Sequence, residues 1–161
     1  MRITTRVITR SALLLALALA IQSVRMPQFA TGPLVNAILL IAVNTVSLPG
    51  AVLIGLCTPF IAFAMGIMPL APVVPVIMTG NVVLVAVFAQ LIKRPVLGII
   101  AAALSKYAVM TLFIIYLLPM LFKIELPGKI VTTLTTPQLF TALAGGVLAL
   151  LVLKGMQWYR R

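Results

Sequence analysis

Apolar residues run along this chain in long unbroken stretches, separated by short polar segments, and prolines punctuate the starts. Pro33, Pro49, Pro75, Pro95 and Pro137 each open an apolar stretch. Proline suits the first helical turn, where its missing N–H has no bond to make. The pattern predicts six helices, over about 7–24, 33–47, 49–67, 75–92, 95–122 and 137–157, with Thr136 as a candidate N-cap for the last. Most are close to the roughly 20 residues that cross a bilayer; the second is short and the fifth is long enough to tilt. Pro59 and Pro119 fall inside helices and are expected to kink them. No stretch alternates apolar with polar residues as a membrane barrel would, so the spans are helical.

Two connections stand out. "MPLAPVVP" (68–75) carries prolines at three-residue spacing, which favours an extended segment packed on the protein. "KIELPGKIVTTLTT" (123–136) is the longest polar connection. Residues 1–161 therefore read as a single six-helix transmembrane domain, an all-α integral membrane protein.

Composition sharpens this. Hydrophobic residues make up 63% of 161 and charged residues 8%, against about 25% charged in a soluble domain. The net charge of +11 is spread over the flanks of the apolar runs. It predicts contact with anionic lipid headgroups and no nucleic-acid binding, which would need a clustered basic face. With six spans and the N-terminus in the cytoplasm, Arg2, Arg6, Arg10, Lys93, Arg94, Lys154, Arg160 and Arg161 lie inside, and Arg25, Lys123 and Lys129 outside. Eight against three follows the positive-inside rule and places both termini in the cytoplasm. The start also reads as a secretory signal peptide with an Ala18-Leu19-Ala20 cleavage site. The apolar run continues through Ile21 to Val24, and cleavage would reverse the charge logic, which favours a retained span.

The chemistry-bearing residues are few. There is no histidine, one carboxylate (Glu125) and one thiol (Cys57), which reads as a packing residue. No nucleophile–base pair and no metal cluster can be assembled from these, and no G-x-x-x-x-G-K-[ST] loop is present. Neither an enzyme nor a resident metal or cofactor is expected. Energy for any active transport must come from another chain.

Lys106 is the exception within an apolar run. A charged side chain near mid-span costs at least about 2.5–3.5 kcal/mol on insertion scales. It lies about 17 Å from the start of its helix and Asn81 about 9 Å from the outer end of its own, at about 1.5 Å per residue, so the two fall at similar depth. Glu125 is nineteen residues on in an outer loop and out of easy reach. The sequence leaves two readings: Lys106 is neutral or rests on carbonyls and water, or it lines a polar cavity and pairs with an anionic group of a ligand that Asn81 helps to orient. Asn36 and Gln138, near the outer ends of their helices, are candidates for the same cavity, and interhelical hydrogen bonds are the structural alternative for the two asparagines. Arg25 and Gln28 sit at its outer mouth, where Arg25 serves equally as a headgroup anchor. Asn44 and Gln90 lie towards the inner side and read as structural.

Ala12, Ala16 and Ala20 share one face of the first helix, within about 80° at about 100° per residue. Small residues at this spacing let another helix approach closely, either within this chain or from a partner.

In its size, its six apolar spans, its basic N-terminus, its Ala12/Ala16/Ala20 face and the segments "TGPLVN" (31–36) and "PQLFTALAGG" (137–146), the chain resembles the substrate-binding S components of the energy-coupling factor (ECF) transporters. The resemblance covers nearly the whole chain. It implies capture of a vitamin or related micronutrient near the outer face, anionic if Lys106 contacts it. It also implies docking through the alanine face onto a transmembrane coupling subunit driven by two ATPase subunits, and residence in a prokaryotic cell membrane. No substrate-specific signature accompanies the resemblance. Two other classes stay open: a non-transport scaffold or assembly subunit of a membrane complex, and a small facilitator.

Overall fold

A computed structural model describes residues 5–68, 70–123 and 126–159. These form α1 (Thr5–Ser23), α2 (Gln28–Thr45), α3 (Leu48–Ala64), α4 (Val73–Gln90) and α5 (Pro95–Leu112). A π-helical segment, Phe113–Leu117, then leads into α6 (Leu118–Phe122), followed by α7 (Gly128–Leu134) and α8 (Thr136–Tyr159). No strand occurs among the described residues.

Five helical stretches are long and apolar enough to cross a membrane: Thr5–Ser23, Gln28–Thr45, Val73–Gln90, Pro95–Met120 and Gly128–Met156. The apolar helix Leu48–Ala64, at 17 residues, is shorter. Large apolar side chains such as Leu13, Phe29, Leu53, Phe60, Leu104 and Leu151 face outward around the molecule. An outward apolar surface of this extent fits a multi-pass membrane protein and not a water-facing one.

Prolines set the helix starts, though not always the prolines expected. Helix α2 begins five residues before Pro33, because Pro27 is the capping residue: its carbonyl accepts from Ala30 N (2.9 Å) and Thr31 N (3.1 Å). Pro33 lies inside the helix. In the same way α4 starts at Val73, after Pro72, and Pro75 falls in its first turn, where an absent N–H has no consequence. The expected extended segment before it is a pair of turns, closed by Val73 N to Leu70 O (3.3 Å) and Val74 N to Ala71 O (3.1 Å); Pro69 lies outside the described residues. The sequence reading also missed α7, which starts behind Pro127 with Ile130 N donating to its carbonyl (2.8 Å). Ser47 caps α3 by accepting from Gly50 N at 3.3 Å.

The six long helices close a ring in the order α1, α2, α8, α5, α4, α3, and α2 also touches α3 and α4 across it. Arg10, early in α1, donates from Nη1 to the carbonyl of Thr45 at the end of α2 (2.9 Å), so these two run antiparallel. Helices α2 and α8 run parallel: Gly32 lies against Thr141 and Gly145 against Asn36. A Cβ at Gly145 would stand 2.6 Å from the Pro33 carbonyl oxygen, so only glycine lets these backbones approach this closely.

Two apolar clusters form the core. One, containing Leu39, Leu40, Leu84, Phe88 and Ala102, fills the end nearer the α4–α5 connection. The other, containing Val76, Met110, Ile114, Leu118 and Leu134, packs beneath α7. Along α4 and α5 the stretch between the clusters holds Asn81 and Lys106, and this polar layer is the floor of the site.

Candidate functional site

The floor is built around a helix defect. Pro59 is buried within α3 and has no N–H. The carbonyl four residues earlier, that of Gly55, therefore loses its usual intrahelical donor. Asn81, on the neighbouring α4, supplies the replacement: its Nδ2 donates to Gly55 O at 3.1 Å. Gly55 allows this approach, since a Cβ there would already stand 3.2 Å from the Asn81 Cβ. With its amide nitrogen committed to α3, Asn81 turns its carbonyl oxygen to α5.

There it meets Lys106. Lys106 Nζ donates to Asn81 Oδ1 at 2.9 Å and to Asn36 Oδ1, on α2, at 2.7 Å. The three side chains are 2–3% exposed. An ammonium carries three N–H donors, so two are satisfied within the protein and one is left for another partner. No carboxylate among the described residues is paired with Lys106, and Glu125 lies outside them.

Above this triad opens a cavity of about 480 Å3, within the roughly 300–1,000 Å3 typical of small-molecule sites. Asn36, Asn81, Lys106 and Gln138 all line it. The Gln138 side chain is 5% exposed and makes no hydrogen bond among the described residues. Asn36 Nδ2 is likewise without a bond there. Neither group is sealed from the cavity; the Thr111 hydroxyl is the buried side-chain atom left unpaired among the described residues. The lining thus offers up to three sets of free donors: one N–H of Lys106, the Asn36 amide and the Gln138 amide.

Arg25, Gln28, Gln22 and Lys129 also line the cavity. Arg25 follows α1 with φ 55°, a left-handed conformation that costs a residue other than glycine about 1–2 kcal/mol. The three cations of the lining, Arg25, Lys106 and Lys129, are matched by no acidic side chain in it. Apolar walls come from Val35, Pro59, Met68, Ile77, Ile130 and Leu134.

The structure thus brings Lys106, Asn81, Asn36 and Gln138 to one cavity, with Arg25 and Gln28 beside them. Both asparagines also make the interhelical bonds that stood as their structural alternative. Sequence reasoning missed Gln22, Thr31, Thr58 and Lys129 as lining residues. Lys129 sits at the start of the unforeseen α7, Gln22 and Thr31 carry no signal beyond polarity near a helix end, and Thr58 lies in the middle of α3, directly before Pro59. Asn44 donates to Leu40 O at 3.1 Å on an exposed face, away from this cavity. Ala12, Ala16 and Ala20 are exposed on the outside of the ring, while Ala18 is the buried residue of α1. No group of histidine, cysteine and acidic residues able to hold a metal ion occurs among the described residues.

Compared with protein-family models, with curated proteins and with solved structures, the chain matches none. Segments 31–36 and 137–146 pack on each other where α2 meets α8, and together contribute Thr31, Gly32, Val35, Asn36 and Gln138 to the cavity.

Proposed function

We propose that this chain captures a small anionic solute, a vitamin or related micronutrient, as the S component of an ECF-type importer in a prokaryotic cell membrane. The observation that carries the reading is the buried Lys106 Nζ, held by two neutral amide oxygens and open to a cavity with no acidic lining residue. A structural lysine needs its charge compensated. Two neutral carbonyls compensate it in part, and a carboxylate or phosphate from the cavity would complete the set with a charge-assisted hydrogen bond. Asn36 Nδ2 and Gln138 would donate to the same group, and the apolar walls would hold the solute's body.

In this reading the solute enters past Arg25 and Lys129, and the exposed Ala12/Ala16/Ala20 face receives a coupling subunit driven by two ATPase subunits. Both termini lie in the cytoplasm, and catalysis has no part in the chain's role.

Mass spectrometry of small molecules released from gently purified protein tests this. The expected result is one anionic solute at near-stoichiometric amount in wild type and its loss from Lys106→Met. A bound solute retained by a well-folded Lys106→Met protein would refute the site.

A further inference from the structure

A second cavity, of about 840 Å3, opens on the outer side of the ring, over α2 and between α1 and α8. It shares no lining residue with the first. Its walls are apolar, with Leu13, Leu17 and Ile21 from α1, Leu34 and Ile38 from α2 and Leu153 from α8. Its polar residues gather at one end: Arg10 at the start of α1, Asn44 and Thr45 at the end of α2, and Lys154 on α8. The wall also includes Ile92 and Pro95, so the turn between them, carrying exposed Lys93 and Arg94, lies at the same end.

Cations from three separate segments thus converge on the mouth of one apolar groove. Arg10 is fixed there, because one guanidinium N–H donates to Thr45 O at 2.9 Å. Four of its five N–H donors remain. No acidic side chain lines this groove, and the described residues hold none, so the anion that matches this mouth is sought outside them. The groove runs along α1 from Arg10 to Ile21, about 16 Å at about 1.5 Å per residue. One leaflet of a hydrocarbon core is about 15 Å deep. Charge at one end and a leaflet's length of apolar wall describe a phospholipid with an anionic headgroup.

We infer that the groove over α2 is a binding site for an anionic phospholipid of the leaflet at the chain's N-terminal end, its headgroup phosphate on Arg10 and Lys154 and an acyl chain between α1 and α8. The site is separate from the Ala12/Ala16/Ala20 face. At about 100° per residue the two directions on α1 diverge by about 115°, so a helix resting on the alanines leaves the groove open.

Native mass spectrometry of the purified full chain, with phosphatidylglycerol or phosphatidylcholine of identical acyl chains added, tests this. Each basic residue near a membrane surface favours anionic lipid by about fivefold. With Arg10 and Lys154 together, wild type should prefer phosphatidylglycerol by about twenty-five-fold, and Arg10→Gln/Lys154→Gln should lose that preference. Lys123→Asn/Lys129→Gln, which removes the same charge at residues that do not line this groove, should retain it. Glycerol 3-phosphate, which lacks acyl chains, should give no adduct at the same concentration. No preference in wild type, equal loss in both double variants, or glycerol 3-phosphate binding as well as the lipid overturns the assignment. A photoreactive residue replacing Leu17 should yield a lipid adduct in native membranes; a polypeptide adduct in its place gives the groove to a partner helix and overturns the lipid site.

Discussion

Replacing Asn81 with leucine tests the floor of the cavity without any ligand. The side chains are close in size, so packing is nearly kept while two bonds go. Lys106 loses the acceptor at 2.9 Å, and a hydrogen bond to a charged group contributes about 1.5–3 kcal/mol. The Gly55 carbonyl loses its donor at 3.1 Å and, because Pro59 has no N–H, has no intrahelical fallback; an unsatisfied buried polar group costs about 1–3 kcal/mol. Together Asn81→Leu should destabilise the fold by about 2.5–6 kcal/mol. In a Lys106→Met background the first contribution is absent, and the same substitution should cost only about 1–3 kcal/mol. Lys106→Met alone relieves an insertion cost of about 2.5–3.5 kcal/mol and loses two hydrogen bonds of about 1.5–3 kcal/mol each, so it should fall between neutral and about 3 kcal/mol destabilising. The expected coupling in this double-mutant cycle is about 1.5 kcal/mol or more, near the top of the range for polar pairs in membrane helices. Reversible unfolding in mixed detergent micelles measures all four proteins. Additivity to within about 0.5 kcal/mol would show that the Asn81–Lys106 bond does not organise this floor.

Three further outcomes follow, the first from the geometry and the other two from the proposed function and orientation. Gly145→Val should destabilise by at least about 2 kcal/mol, because overpacking costs about 1–3 kcal/mol and the first added carbon already meets the Pro33 carbonyl oxygen at 2.6 Å; an unchanged unfolding midpoint would contradict the close α2–α8 contact. Ala16→Trp, on an exposed position, should leave solute binding intact while abolishing copurification of a coupling subunit; loss of both would assign the face to folding. With Cys57 replaced, a thiol at Lys129 should react with an impermeant reagent on intact cells and one at Arg94 should not; the reverse pattern would invert the topology.

The helices were legible because their signals are local: a run of apolar residues and a proline at its head. The choice among prolines was not, since "MPQFATGP" offers Pro27 and Pro33 and both fit a first turn by composition. Tertiary packing decides, as the turn before Pro33 brings Gly32 against Thr141 and adds the wall that holds Gln28 and Thr31. Helix α7 was hidden by its length: seven residues are too few for apolar periodicity to register. Lys106, Asn81, Asn36 and Gln138 could be singled out because each is polar in apolar surroundings. Their bonds could not be foreseen, since depth along a helix does not fix rotation about its axis. The π-helical turn at Phe113–Leu117 ahead of Pro119 gives the expected irregularity a particular form: the widened turn absorbs the register lost at a residue without an N–H.

The amide at position 81 is held by main chain, and this ties its fate to position 59. A polar side chain opposite Asn81 could be exchanged for another over evolutionary time; a carbonyl freed by proline cannot be, except by removing the proline. Should Pro59 revert to an ordinary helix former, the Gly55 carbonyl regains its own donor and the anchor of Asn81 weakens at once, with no change in any residue that touches Lys106. Among diverging descendants of this sequence, proline at 59, a small residue at 55 and asparagine at 81 should therefore be inherited or lost as a unit. Lineages that dissolve the unit should be those in which the side chains around Lys106 have changed.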